Sequence, residues 1–190
     1  MKKLVIFLLA ALLLTGCGAS GPAAPVEPTA TPAEARTAEP TQAPTEAPAA
    51  DADAVTFSTT DREGVPWDES VFADHSVTML NFWEPWCGPC VGEMPELQQL
   101  QDDYADRGLQ ILGIYQTPDM EADVDAVLQS TGVTYPILHY TGSFDRFQTG
   151  YVPTTVFVDS EGRVIGQGDD AFYVGSNSYD GWAAILEGLL

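Results

Sequence analysis

No lysine follows Lys3, and beyond residue 54 the permanently charged basic side chains are Arg62, Arg107, Arg146 and Arg163. The formal net charge is −21 over 190 residues. A surface so poor in cations cannot neutralise phosphates, which excludes nucleic acid as a partner and gives an anionic lipid surface nothing to attract. Acidic runs such as Asp102-Asp103 and the Asp123/Asp125 pair read as solvated faces. Cysteine is nearly absent too: the chain has Cys17, Cys87 and Cys90. Together with His75 and His139 these supply no second paired ligand motif, so a zinc centre would lack half its ligands. Long apolar runs are also missing, because the stretch from Leu4 to Leu14 is too short for an ordinary spanning helix. Nothing in the residues indicates a nucleotide, haem or flavin site, and no cofactor or metal is expected.

What is present divides into three parts. Lys2 and Lys3 precede the apolar run, the charged-then-apolar order of a secretory signal over residues 1–16. It ends Leu14-Thr15-Gly16-Cys17, which resembles the lipobox of bacterial lipoproteins, and that resemblance implies lipidation of Cys17 as the first mature residue. A plain signal peptide with an incidental cysteine is the alternative. Residues 17–54 are Pro, Ala, Thr and Glu with almost no large apolar residue. Such a stretch cannot bury a core and reads as an extended tether. Residues 55–190 are long enough for one domain with its own core.

The chemistry of that domain centres on Trp83-Glu84-Pro85-Trp86-Cys87-Gly88-Pro89-Cys90. The apolar, β-rich Val77 to Phe82 lies before it, and Met94, Leu97, Leu100 and Tyr104 recur after it at helical spacing. The cysteines therefore sit on a strand-to-helix turn. Free N–H groups and the positive dipole end of a helix favour an anion there, and a thiolate is that anion. Pro89 fits the first turn because its missing N–H would be unpaired anyway. Cys90, one turn on, can close back onto Cys87. The pattern is that of a redox pair; half of a metal site and a purely structural disulfide are the alternatives.

Around this turn the spacing predicts a short strand or hairpin near Val55 to Trp67, a central strand at Val77 to Phe82 and a helix from Cys90 to about Asp106 that stops at Gly108. It then predicts a buried strand from Leu109 to Tyr115, a helix over 119–131 with Val124, Val127 and Leu128 inward, and an extended piece from Tyr135 to Leu138. Tyr151 to Asp159 reads as a loop feeding a strand, which should turn at Ser160-Glu161-Gly162 into a partner at Arg163 to Gly166. Residues 169–178 read as irregular, and Trp182, Ile185, Leu186 and Leu189 mark a final amphipathic helix. The class is α/β with a mixed sheet.

Trp86-Cys87-Gly88-Pro89-Cys90 with Val152-Pro153-Thr154-Thr155 behind it resembles thioredoxin. Asn81-Phe82-Trp83, Glu93-Met94-Pro95 and the extra helix near 119–131 resemble, more closely, the TlpA/ResA branch of membrane-anchored extracytoplasmic thiol-disulfide oxidoreductases. The resemblance implies a thioredoxin-like fold: a central mixed sheet flanked by helices, with an extra helix inserted. It implies that Cys87 attacks, Cys90 resolves, and Pro153 is a cis-proline that leaves Val152 free to pair with a substrate chain. Glu93, on the helical face of Cys90, would take its proton, with Asn81 where thioredoxin has a buried aspartate. Trp86 and Trp83 would shape the apolar surround. Glu84 departs from the family pattern, which has a small residue there, and a charge near Cys87 would oppose thiolate formation.

By the same resemblance the substrates are disulfides in exported proteins, such as apocytochrome c cysteines or an extracytoplasmic methionine sulfoxide reductase. The electron donor would be a membrane thiol carrier of the CcdA/DsbD kind, and the chain a monomer held at the membrane by Cys17. The Gly-Pro pair between the cysteines is thioredoxin's own and argues for a reductant, near about −270 mV rather than about −120 mV. Two other classes remain open. A thiol peroxidase would be expected to carry Thr at the position of Glu84. A Sco-like copper carrier would use CxxxC and a distant histidine, for which His139 is the candidate.

Overall fold

The computed structural model describes residues 54–166 and 168–190; the leader, Cys17 and nearly all of the tether lie outside them. A hairpin pairs β1 (Ser58–Thr60) with β2 (Pro66–Asp68), Thr60 opposite Pro66. It starts three residues later than the apolar Val55 and Phe57 suggest, because those two side chains are buried in the core and not paired. The main sheet has the order β5-β4-β3-β6-β7. Its centre is β3 (Val77–Trp83), every residue of which is buried. β4 (Leu109–Tyr115) and β5 (Ile137–His139) continue it in parallel on one side. β6 (Thr154–Asp159) and β7 (Tyr173–Val174) run antiparallel on the other.

Alternation along β3 and β4 builds two cores. Val77, Met79 and Trp83 of β3, with Leu109, Ile111 and Tyr115 of β4, pack under the helices α1 (Gly88–Tyr104), α2 (Glu121–Thr131) and α3 (Tyr179–Leu189). Leu80, Phe82, Leu112 and Ile114 face the opposite way, against Phe57, Phe72, Phe144 and Phe147. Apolar burial on both faces is why β3 reads as an almost unbroken apolar run. The Tyr104 and Tyr179 hydroxyls of α1 and α3 donate across the helix pair to Glu187 and Asp103. α1 begins at Gly88, a residue or two earlier than its apolar periodicity indicates, and its following 3-10 turn closes at Gly108 with φ +96°.

One expectation is corrected. The segment after the turn at Gly162 does not form a strand: Val164 makes a single bridge to Val158. The paired strand is Tyr173–Val174, within the stretch that reads as irregular, and it meets Thr154 and Thr155 at the other end of β6. Gly166, at φ +104°, turns the chain off the sheet, where a Cβ would meet the Asp170 carbonyl oxygen and the Ala171 Cα at 2.9 Å. A dihedral reversal of this kind leaves no hydrophobic signature.

Gly113 sits beside Asn81 in the sheet register. A Cβ there would stand 2.6 Å from Ile137 Cδ1 and 3.2 Å from both Trp83 Nε1 and Tyr135 Cε2. Gly113→Ala should therefore overpack the sheet centre and lower unfolding free energy by ~1–3 kcal/mol. Urea unfolding of the domain measures this, and an unchanged midpoint would show that the contacts yield freely.

Candidate active site

The cysteines form a disulfide, Cys87–Cys90, at the start of α1. Cys87 is the N-cap: its backbone is extended, and its Sγ accepts from the Cys90 N–H at 3.2 Å. A sulfur at an N-cap faces the unpaired N–H groups of the first turn, the arrangement that favours a thiolate once the bond is reduced. Both sulfurs belong to buried residues, Cys87 at 5% and Cys90 at 1% exposure. The Val152–Pro153 bond is cis, and the Val152 carbonyl oxygen lies 3.6 Å from Cys87 Sγ. An oxidised sulfur carries no proton, so this is a contact and not a hydrogen bond. It places the backbone before Pro153 directly against Cys87.

Glu93 is not an ordinary exposed helix acid. It is 3% exposed, one turn beyond Cys90 and against the middle of the sheet. Asn81 Nδ2 donates to its Oε1 at 3.2 Å and also to Thr155 Oγ1 at 3.1 Å. The Asn177 backbone N–H donates to its Oε2 at 3.1 Å. Burial pushes the Glu93 carboxyl above the usual carboxylate range, opposed by Asn177, Asn81 and the indole of Trp182, while Glu96 raises it further. Tyr135, buried among these groups, is held protonated by burial and by the charge of Glu93. Asn177 sits just before Ser178, whose side chain caps α3, and no sequence pattern marks it as a partner of Glu93. Glu93 and Asn81, twelve residues apart in the chain, are brought into direct contact.

The two tryptophans part company. Trp83 is 1% exposed and stacks at a tilt on Tyr115, a core residue under the helices. Trp86 is 64% exposed beside the disulfide. With Tyr151, itself 72% exposed, it borders an open groove of about 470 Å3 lined also by Glu84, Gln116, Thr117, Gln148, Gly150 and Val152. Tyr151 escapes sequence reasoning because no spacing pattern marks a loop aromatic as a groove wall. Gly88 and Pro89 occupy the first turn of α1. His139 ends β5 with Nδ1 at 3.1 Å from the Thr60 carbonyl oxygen and Nε2 at 3.6 Å from Glu121. Among the described residues no group of three potential metal ligands is gathered.

The sequence matches the AhpC/TSA family over residues 50–167, more than half of the chain. The chain belongs to the AhpC/TSA family. It is similar to the thiol-disulfide oxidoreductase ResA of Oceanobacillus iheyensis, 34% identical over 88 residues that cover 45% of each chain. It is also similar to ResA of Geobacillus kaustophilus, 31% identical over 113 residues covering 58% of this chain and 64% of that one. The chain thus spans about half to two thirds of the curated relatives it matches. Among solved structures, a thioredoxin-family thiol:disulfide interchange protein from Chlorobium tepidum aligns with a TM-score of 0.61 and 27% identity, over 75% of this chain and 99% of that one. The fold is thioredoxin-like.

The raised carboxyl of Glu93 has a consequence for stability. Below the ordinary glutamate range Glu93 is protonated in both folded and unfolded chains. Above it the unfolded chain releases a proton that the folded chain still holds, so stability falls as pH rises until Glu93 ionises in the fold. Glu93→Gln removes this contribution and should be more stable than wild type at about pH 8, with the gap closing toward about pH 4.5. Urea titrations at the two pH values test this; a gap that does not change with pH contradicts it.

Proposed function

We propose that this protein is a membrane-tethered, extracytoplasmic thiol-disulfide oxidoreductase that reduces disulfides in exported proteins. The observation that carries the reading is the Cys87–Cys90 disulfide, seated at a helix N-terminus with the cis Val152–Pro153 backbone against Cys87. The ResA relatives carry the same activity in their names. In the dithiol form, Cys87 ionises beside the Cys90 N–H and its thiolate attacks one sulfur of a substrate disulfide. A Cys87–substrate bond forms, and the substrate's other sulfur leaves as a thiolate. Glu93 takes the Cys90 proton. Cys90 then attacks Cys87 Sγ, expels the second substrate thiolate and closes the internal disulfide. Two electrons have passed from the protein dithiol to the substrate, whose thiolates recover the protons. The burial of Glu93 strengthens it as a base, since its proton affinity is raised.

Turnover needs a dithiol donor on the same side of the membrane, and a membrane carrier of the CcdA/DsbD kind fits a tethered protein. The resemblance of Leu14-Thr15-Gly16-Cys17 to a lipobox supports anchoring through Cys17, with the Pro/Ala/Thr/Glu stretch as the tether. No helix among the described residues is long and apolar enough to cross a membrane. Reduction of apocytochrome c cysteines or of an extracytoplasmic methionine sulfoxide reductase suits such a site. A peroxidase reading gains nothing from position 84, where Glu84 replaces the expected Thr.

Cys90→Ser should accumulate a Cys87-linked mixed disulfide with substrate, and Cys87→Ser should form none. Glu93→Gln should form the mixed disulfide at the wild-type rate but resolve it ~10²-fold or more slowly. Rapid-quench gels read both steps. Resolution by Glu93→Gln at the wild-type rate across pH would remove Glu93 from the mechanism.

A further inference from the structure

Glu84 is a carboxylate at 4% exposure. Its two oxygens are met by two donors from the chain leaving β4. The Gln116 N–H donates to Oε1 at 3.0 Å, and the Thr117 hydroxyl donates to Oε2 at 2.5 Å. The Glu84 carbonyl oxygen also accepts from the Cys87 N–H at 3.0 Å. One residue thus grips the redox turn with its backbone and the β4 exit with its side chain. Arg62 pairs with Glu121 and Asp125, Arg107 with Glu187, and Arg163 with Asp159 and Glu161.

Three separate loops wall the groove beside Cys87: the redox turn, the β4 exit, and the loop ahead of Pro153 with Tyr151 and Val152. A peptide lying along Val152 must pass between Trp86, Tyr151 and the Gln116-Thr117 wall. Nothing covalent fixes the first two loops to each other, since they belong to successive strands. The Glu84 carboxylate does so through two hydrogen bonds to a charged acceptor, the stronger kind. Burying that carboxylate is tolerable only while both donors are present.

We propose that Glu84 is a positioning residue that clamps the Gln116-Thr117 wall to the redox turn and thereby sets affinity for extended peptide substrates. This rests on the thiol-disulfide exchange proposed above. The clamp shapes the groove and leaves the sulfur chemistry alone. Glutamine keeps an acceptor for the Gln116 N–H but replaces the charged acceptor facing Thr117 with a neutral amide, which weakens the clamp. A small disulfide that reaches Cys87 without filling the groove should not sense the clamp.

The test uses reduced protein and two disulfides: a cysteine nonapeptide joined to thionitrobenzoate, and Ellman's reagent. Release of thionitrobenzoate reports attack in both. In single turnover, Glu84→Gln and Thr117→Ala should each raise the half-saturating peptide concentration ~10-fold, with the saturating rate and the rate with Ellman's reagent within about twofold of wild type and the Cys87–Cys90 potential unchanged. Thr117→Ser, which keeps the hydroxyl, should behave as wild type. An unchanged half-saturating peptide concentration in either disruptive variant overturns the clamp. So does Glu84→Gln accelerating attack on both disulfides alike, which would mean that Glu84 acts by its charge on Cys87. If wild type attacks neither disulfide, the failure lies with the exchange activity and not with the clamp.

Discussion

The site depends on one constraint: Cys87 must end the loop from a fully buried strand and cap the following helix. β3 is buried on both faces, so its exit is fixed by the two cores that hold it. α1 begins at the very next residue, which puts the sulfur where first-turn N–H groups are unpaired. The remaining parts are arranged around that atom. The Val152 backbone approaches from the β6 side, Glu93 lies one turn along the helix, and the β4 exit is joined through Glu84.

Two buried carboxylates flank the disulfide, and their surroundings divide their roles. Glu84 receives a hydrogen bond on each oxygen from the β4 exit, which ties loop to loop. Glu93 receives one on each oxygen as well, but deeper, where burial holds its proton more tightly. The first suits fixing a shape and the second suits moving a proton. Trp182, Tyr135 and Asn81 surround Glu93 from α3, the β5 approach and β3, so its charge is sensitive to both the sheet and the helices packed on it.

Much of this was legible in the chain. The mostly apolar β3 and β4, the amphipathic α3 and the Cys87-Gly88-Pro89-Cys90 turn are local patterns, and each was found in place. Glu93 and Asn81 were legible as residues of interest through the family resemblance, though their hydrogen bond joins a helix to a strand and no spacing encodes it. Three features lay beyond the pattern. Tyr173–Val174 is a two-residue strand selected by the reversal at Gly166. Asn177 serves Glu93 through its backbone, which any residue type could do. Glu84 reads as a misplaced charge until the Gln116 and Thr117 donors, thirty-two and thirty-three residues away, are seen.

The central claim is that Cys87–Cys90 donates electrons. Its equilibrium potential in residues 54–190, titrated against dithiothreitol and glutathione, tests that most directly. A value well below about −220 mV is predicted, in the range where the dithiol drives reduction of other disulfides. A value near about −120 mV would contradict the account, because the reduced form would then be the stable one and the protein would oxidise its partners.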